Sequence, residues 1–441
     1  MKRPIAIDLF AGCGGMSLGL EAAGFDVVLA VEFDPIHALV HHFNFPYGIT
    51  ICQDISQLKS ASLIDVLNSR GYHGEIDLIA GGPPCQGFSL IGKRNVNDPR
   101  NSLVFEYLRM ICELKPKYLI FENVPGIASG EHQKFLQELV FEFEKIGYVI
   151  NKPIQVLNSS FYGVPQKRKR LIIIGSRNDV KPIVYPQQTH FDPENIVPTE
   201  DEGSEANSDK KFTPLTTVGE AISDLALHAP YTKNDEGILS EKLDYSGLRK
   251  YFSVKPNGLF KLCHQRQIGD KIYGHLGSAH TLKSIERFKN TESGTVEKIS
   301  RFYKLKKDGQ CNTLRAGTAS NKGAYTAPRP IHYYHPRCIT IREAARLHTF
   351  PDWFEFHRTI WHGFREIGNA VTPFLAKALG DEIILSLGID PTKLTTNILE
   401  KVDGIYLNFN MKEAASYWDV PDEIIPKRNK RAMLPDYKII I

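Results

Sequence analysis

The chain has 441 residues and a formal net charge of +4, with 42% apolar and 24% charged residues, values typical of a globular protein with a large core. Its seven cysteines are odd in number, widely spaced and free of Cys-x-x-Cys pairs, which argues against a disulfide framework and a zinc ribbon, so we expect no metal site. No apolar run is long enough to span a membrane and the N-terminus lacks the apolar core of a secretory signal, so we expect a cytoplasmic protein without a membrane partner.

Short apolar, β-branched runs alternate with segments of helical period along residues 1–177. The predicted strands are IAIDLF (5–10), VVLAVE (27–32), IDLIAGG (76–82), YLIFENV (118–124) and RLIIIGS (170–176), and the predicted helices cover 15–24, 35–44, 102–114 and 132–146. This alternation indicates an α/β fold, a parallel or mostly parallel sheet with helices on both faces. Ligands of such sheets bind beyond the carboxyl ends of the strands.

The first of these corners, DLFAGCGG, places a strand, a glycine turn and a helix in succession, so backbone N–H groups can approach a ligand closely. It is not a dinucleotide fingerprint, because Ser17 stands where the third glycine would fall. Glu32 ends the next apolar run, where an acid can accept hydrogen bonds from two ribose hydroxyls. The pattern predicts a nucleoside cofactor without a pyrophosphate.

The stretch GGPPCQGFS follows another predicted strand and holds Cys85 after two prolines, which fix the backbone. A buried, inert thiol is the alternative, but the flanking sequence is polar and turn-like, so we expect a nucleophile at the ligand-binding edge. Glu122 lies near the end of the predicted strand YLIFENV. Arg168 and Arg170 are two residues apart at the start of the predicted strand RLIIIGS, so their side chains lie on one face if that strand begins early. A surface carboxylate and a plain basic strand start remain the alternatives.

The βαβ rhythm stops after about residue 177. Residues 192–211 are polar and acidic and predict an exposed loop, whereas 241–310 carry an excess of Lys and Arg. A basic surface confined to one region suits a phosphate backbone, although a solvated lysine-rich surface is equally consistent. We expect a smaller, irregular domain at 178–335.

Regular structure returns with TIREAARLHTFPDWF, where Thr340 and Glu343 fit a capping box, and with a helix from about 373 to 387. We expect these returning helices, at 336–390, to pack on the first part (1–177) and complete it. The extension at 391–441 shows no chemistry.

Seven short motifs resemble, in the same order along the chain, those of DNA (cytosine-5) methyltransferases of the bacterial restriction-modification type. They are DLFAGCGG, VEFD, GGPPCQGFS, ENV, QKRKR, TIREAARLHTFPDWF and GNAVTP. The resemblance covers most of the chain. It implies a Rossmann-like S-adenosylmethionine-dependent methyltransferase sheet, with a target-recognition domain at 178–335. It also implies a monomer that methylates C5 of a flipped cytosine in a specific double-stranded DNA site and protects host DNA. A cognate restriction endonuclease would be a functional and not a physical partner.

The resemblance also implies residue roles. Cys85 would attack C6 of the cytosine, Glu122 would hold its N3 and N4 edge and supply a proton, and Arg168 would support O2, with Arg170 nearby. Glu32 would bind the ribose, Asp54 would lie near the adenine amine and Phe33 would stack on adenine, in a cofactor site completed by Phe10, Gly12, Gly14, Pro84, Asn369 and Val371. DNA contacts would come from Gln86, Ser89, Lys93, Arg94 and Arg100 in a lid-like segment, and from Arg315, Thr318 and Lys322.

Three alternatives stay open at this point. An RNA cytosine-5 methyltransferase shares these motifs, but the Cys-Phe-Thr element of that branch is missing here. A non-catalytic DNA-binding relative would have lost the catalytic residues, whereas this chain has Cys85, Glu122 and Arg168 in place. An unrelated cysteine hydrolase would need a histidine base near Cys85, and the predicted strand ends supply no obvious one.

Overall fold

The computed structural model describes residues 2–84, 102–130, 132–192, 213–231, 233–253, 264–266, 270–317, 329–395, 397–399 and 404–422. Among these residues no helix is both long and apolar enough to cross a membrane.

A mixed sheet of eight strands forms the centre of the described structure. Its strands are β1 (Ile5–Leu9), β2 (Asp26–Glu32), β3 (Ile49–Cys52), β4 (Leu78–Gly81), β5 (Tyr118–Asn123), β6 (Tyr148–Ile150), β7 (Gln155–Asn158) and β8 (Lys169–Arg177). The order is β3-β2-β1-β4-β5-β8-β6, and β7 also pairs with β8. The first five strands are parallel, and β8 runs antiparallel to β5, β6 and β7. The carboxyl ends of β1 to β5 therefore share one edge.

The helices are α1 (Gly15–Ala23), α2 (Pro35–Asn44), α3 (Ser60–Ser69), α4 (Ser102–Leu114), α5 (His132–Lys145), α6 (Val218–Ile222), α7 (Leu282–Asn290), α8 (Ile341–Leu347), α9 (Ile360–Asn369), α10 (Pro373–Ser386) and α11 (Met411–Trp418). Further two- and three-residue strands are β9 (His190–Phe191), β10 (Thr213–Pro214), β11 (Ile238–Leu239), β12 (His264–Arg266), β13 (Lys271–Ile272) and β14 (Asn397–Leu399). They pair as β9 with β10, β11 with β13, and β12 with β14.

Alternation along the strands sends apolar side chains to both faces of the sheet. Ile7 and Leu9 of β1 join the apolar cluster under α3, α4 and α5, whereas Ala6 joins the cluster under α1 and α10. The expectation of helices on both faces is thereby confirmed. The returning helix α10 lies so close to α1 that a Cβ on Gly19 would come within 2.4 Å of the Ala376 Cβ. Helix α10 therefore packs directly on α1.

A third cluster joins the irregular region to the returning helices. Side chains from 218–252 and from 339–367 share one apolar core, in which Val218, Phe252 and Phe354 are fully buried. Helix α8 begins with the expected capping box, since Thr340 Oγ1 accepts from the Glu343 N–H and Glu343 accepts from the Thr340 N–H. The boundaries expected from sequence at 177, 335 and 390 stay predictions.

Candidate active site

Glu32 lies at the carboxyl end of β2 and faces the glycine turn that follows β1. The Gly12 N–H donates to its Oε2 at 2.8 Å, and the Asp34 N–H donates to its Oε1 at 2.8 Å. The turn itself needs left-handed backbone at Phe10 (φ 62°), Gly12 (φ 58°) and Gly14 (φ 102°). A Cβ on Gly12 would meet no atom within 4 Å, so there is open space beside the glycine turn. Each carboxylate oxygen keeps a second lone pair for a hydroxyl donor.

The partly buried position of Glu32 changes its acidity. Burial, with a smaller contribution from the Asp34 carboxylate, raises the pKa of Glu32 to about 7, although the two N–H donors and Arg365 act in the opposite direction. The group therefore changes charge near neutral pH, and the ionised form is the one that can accept from two hydroxyls.

The neighbouring strand ends bring two more predicted cofactor residues to this edge. Cys52 of β3 lies opposite Glu32 in the sheet, which places Asp54 just beyond that strand end, where its Oδ1 caps a short 3-10 turn by accepting from the Ser56 N–H at 2.9 Å. Phe33 follows Glu32 and keeps 42% of its surface exposed. An exposed aromatic ring beside a half-buried carboxyl is suited to stacking on a planar base.

The connection between α9 and α10 completes this edge. A Cβ on Gly15 would lie 2.3 Å from the Val371 carbonyl oxygen, so the glycine allows this segment to contact the start of α1. Val371 is buried and Asn369 is exposed. The segment that carries both predicted cofactor residues thus contacts the start of α1.

An ion pair occupies the carboxyl end of β5. Arg170 Nε lies 2.6 Å from Glu122 Oε1, and both side chains are only 12% exposed. The β4–β5 register sets Gly81 beside Phe121, one residue before Glu122. A Cβ on Gly82 would come within 2.7 Å of Glu122 Oε2, so glycine is required for the carboxylate to lie here. A carboxyl and a guanidinium placed side by side can bind a ligand that carries neighbouring hydrogen-bond donors and acceptors.

The backbone that leads to Cys85 is held beside this pair. Asn123 Nδ2 donates to the Pro83 carbonyl at 3.1 Å, which attaches the diproline turn to the end of β5. Pro84 is exposed. Cys85 and the predicted DNA-contacting residues Gln86, Ser89, Lys93, Arg94, Arg100, Thr318 and Lys322 lie outside the described residues.

The cysteines that are described offer no competing nucleophile in the sheet edge. Cys13, Cys52, Cys311 and Cys338 are buried, and Cys112 is exposed on α4. Burial raises the pKa of Cys13 well above its usual value, with a smaller contribution from Glu366. A thiol of this kind is not a thiolate at neutral pH.

Arg168, which the resemblance predicts to support the pyrimidine oxygen, lies in a buried junction. Its side chain is only 1% exposed, and its two terminal nitrogens donate to the carbonyls of Leu314 (2.8 Å), Gly368 (2.9 Å) and Ala370 (2.8 Å). Only its Nε lacks a hydrogen-bond partner within the described part of the chain. Arg168 precedes β8, whereas Arg170 lies within it, and the two side chains have different partners. Arg170 is the arginine that reaches Glu122.

Gln166, which the sequence did not single out, is part of the same buried junction. Its Nε2 lies 3.2 Å from the Leu347 carbonyl and 3.0 Å from His348 Nδ1, and its Oε1 accepts from the Leu314 N–H at 3.0 Å. The signal in the sequence was its position two residues before Arg168. Arg315, next to Leu314, is exposed. The backbone there is pressed against α9, since a Cβ on Gly368 would lie 2.4 Å from the Arg315 carbonyl carbon.

Comparison with known proteins agrees with this geometry. The family of C-5 cytosine-specific DNA methylases matches residues 5–385. The type II methyltransferase M.XorII of Xanthomonas oryzae pv. oryzae is 43% identical over 435 residues, 98% of this chain and 96% of the relative. M.DdeI of Desulfomicrobium norvegicum, also a type II methyltransferase, is 33% identical over 403 residues, 86% of this chain and 88% of the relative. A solved E. coli prophage protein assigned as a DNA modification methyltransferase has a TM-score of 0.68 and 31% identity, covering 87% of this chain and 99% of its own.

Proposed function

The chain belongs to the C-5 cytosine-specific DNA methylase family and is an S-adenosylmethionine-dependent DNA (cytosine-5) methyltransferase, and we propose that Cys85, Glu122 and Arg170 carry its chemistry. The half-buried Glu122–Arg170 pair, at 2.6 Å on the edge that also holds Glu32, is the observation on which this proposal rests. A carboxyl group that carries a proton can accept from the N4 amine and donate to N3 of a cytosine, and the adjacent guanidinium can donate to O2.

Cys85 is the proposed nucleophile. Its thiolate sulfur forms a bond to C6 of the cytosine, and the electron pair of the C5–C6 double bond moves toward C5. C5 uses this electron pair to bond the methyl carbon, and once C5 carries the methyl group a base removes the C5 proton, the C5–C6 double bond re-forms, and the sulfur leaves C6 with its bonding electrons. The Asn123 contact to Pro83 supports this role, because it fixes the turn from which Cys85 follows.

Glu122 and Arg170 are proposed to hold the target ring. Glu122 binds the N3 and N4 edge and protonates N3 as the sulfur attacks C6, which neutralises the negative charge that develops on the ring and leaves C5 as an enamine carbon. Arg170 donates to O2, in place of Arg168, whose terminal nitrogens are already engaged by three carbonyls. Arg168 is then a positioning residue that acts through the segments it ties together.

The residues around Glu32 fit S-adenosylmethionine. Both Glu32 oxygens keep acceptor capacity beside the open space at Gly12, which suits two ribose hydroxyls. Phe33 and Asp54 suit adenine, and Asn369 and Val371 border the same turn. When bound, the cofactor supplies the electrophilic methyl group that C5 accepts.

The DNA side of the proposal rests on the recognition region. We infer that residues 178–335 read a specific double-stranded site and that Arg315, exposed beside α9, contacts it. The target cytosine must leave the stack to reach Glu122, at a cost of a few kcal/mol. We also propose a monomeric, cytoplasmic bacterial enzyme that protects host DNA, since its relatives are bacterial type II methyltransferases.

The experiment is transfer of labelled methyl from S-adenosylmethionine to duplex DNA, followed by mapping of the modified cytosines. Cys85→Ser is expected to lose at least about a thousandfold in rate while still binding DNA. Cys112→Ser, which alters the exposed thiol on α4, is the matched control and is expected to retain activity. Full activity in Cys85→Ser would contradict the proposal, and labelling of transfer RNA but not of duplex DNA would contradict the duplex DNA substrate.

A further inference from the structure

The C-terminal segment, residues 404–422, lies beyond the part of the chain that matches the family. It consists of a 3-10 turn (Gly404–Asn408) and helix α11, and it packs on α2. The apolar contact is formed by Ile36 and Leu39 of α2 with Tyr406, Phe409, Met411, Ala414 and Trp418. The segment therefore covers the face of α2 that would otherwise be exposed.

Three hydrogen bonds fix this contact at defined points. Trp418 Nε1 donates to the Pro35 carbonyl at 3.1 Å. His357 Nε2 donates to the Phe409 carbonyl at 2.9 Å, and the Arg358 N–H donates to the Leu407 carbonyl at 2.9 Å. Leu407 itself is fully buried in the core shared with the returning helices. The segment is thus anchored on the body of the enzyme on one side and on the first residue of α2 on the other.

The first residue of α2, Pro35, lies only three residues after Glu32 along the chain. Asp34 caps the helix by accepting from the Ile36 N–H at 3.0 Å, and its own N–H donates to Glu32 Oε1. Arg365 forms an ion pair with the Asp34 carboxylate, with its Nη1 3.1 Å from Asp34 Oδ2. Any shift of the start of α2 would therefore move one of the two N–H donors that orient Glu32.

We propose that the C-terminal segment is a positioning element for the cofactor site, in which Trp418 fixes the start of α2 and thereby the orientation of Glu32. This inference rests on the proposed role of Glu32 as the ribose-binding acid. It predicts that the segment controls the affinity for S-adenosylmethionine and leaves the affinity for DNA and the rate of methyl transfer at saturating cofactor nearly unchanged.

The experiment measures S-adenosylmethionine affinity and steady-state KM and kcat for the full chain and for single variants. Trp418→Ala is expected to raise Kd and KM for the cofactor about tenfold, with kcat and DNA affinity changed less than about twofold. Trp418→Phe keeps an aromatic ring but loses the N–H donor, so its Kd and KM for the cofactor are expected to lie between those of the wild type and Trp418→Ala. Point variants are preferred to truncation because β14, just before the segment, pairs with β12 of the recognition region.

Leu139→Ala on α5 is the control for a merely structural effect, since it removes a buried apolar side chain in a separate cluster. A double-mutant cycle with Glu32→Gln identifies the route, because the effect of Trp418→Ala should nearly vanish once Glu32 no longer accepts from two hydroxyls.

Equal cofactor weakening by Leu139→Ala and Trp418→Ala, or additive effects in the cycle, would overturn the inference. If Glu32→Gln weakens cofactor binding and Trp418→Ala does not, the inference fails and the cofactor assignment stands. If Glu32→Gln itself has no effect, the assignment of Glu32 fails, and the role of the segment falls with it.

Discussion

Replacement of Arg168 by Lys tests whether this arginine is a positioning residue or a base-contacting one. The guanidinium makes three hydrogen bonds of 2.8–2.9 Å to carbonyls on two separate segments, at Leu314 and at Gly368 with Ala370. A single ammonium group on a different stem cannot reach all three, so one or two buried carbonyls lose their donor. Each such loss costs about 1–3 kcal/mol, so we expect the free energy of unfolding to fall by about 2–4 kcal/mol.

The chain offers a matched control in Arg342. It is also only 1% exposed, and it donates to three carbonyls, those of Tyr273 (2.8 Å), Pro351 (3.1 Å) and Phe354 (2.9 Å). Arg342→Lys should therefore lose a similar amount of stability. None of its carbonyl partners lies in the segments that carry Arg315 or Asn369, so its effect on ligand affinity should be small.

The assay combines urea unfolding with titration of S-adenosylmethionine and of duplex DNA. We expect Arg168→Lys to weaken both ligands by about five- to tenfold, equivalent to about 1–1.4 kcal/mol each, and Arg342→Lys to change neither by more than about twofold. Equal losses of ligand affinity in the two variants would refute the specific role of Arg168. A variant that keeps both affinities and its stability but loses kcat would show that Arg168 acts directly on the base.

Three further predictions concern carboxyl groups of the protein. Gly82→Ala places a Cβ 2.7 Å from Glu122 Oε2, so we expect kcat to fall about tenfold or more with the cofactor Kd unchanged, and an unchanged kcat would contradict the geometry. Because burial raises the pKa of Glu32 to about 7 and its ionised form binds the ribose, cofactor affinity should fall about tenfold per pH unit below pH 7. Glu32→Gln should abolish that dependence. Burial also raises the pKa of Asp8 to about 7 and that of Glu366 to about 8, so each of these two carboxyls binds a proton more tightly in the native state than in the unfolded chain. The contribution of Glu366 to the free energy of unfolding without cofactor should therefore fall between about pH 6.5 and pH 8, by at most about 1.4 kcal/mol per pH unit, so the wild type should lose stability relative to Glu366→Gln over that range, and a pH-independent difference between the two in urea unfolding would contradict this shift.

The sequence predicted the elements whose signals are local. Strong apolar runs located β1, β2, β4, β5 and β8 to within a residue or two, and Thr340 with Glu343 located the start of α8. Strands β3 (ITIC), β6 (YVI) and β7 (QVLN) were missed because none of them lies in a longer apolar run of the kind that marks the five predicted strands. Helix α9 was missed because its last residues, Gly368 and Asn369, belong to the motif GNAVTP, which was interpreted as a turn.

The site was predictable where chemistry lies in one short motif and less so where contacts are distant in sequence. The approach of Glu32 to Gly12 follows from two adjacent parallel strands. The separation of Arg168 from Arg170 does not, because the partners of Arg168 lie 146 to 202 residues further along the chain. The C-terminal segment showed no chemistry in the sequence, since its contribution is a packing contact and a hydrogen bond to Pro35.

The most direct test of the central claim, that Cys85 attacks C6 of the target cytosine, is covalent trapping. Duplex DNA in which cytosines are replaced by 5-fluorocytosine cannot release a C5 proton, so the adduct should persist after methyl transfer. We predict a denaturation-stable protein–DNA complex whose proteolytic peptide carries the nucleotide on Cys85. An enzyme that methylates ordinary DNA but forms no such complex, or forms it on another residue, would contradict the account.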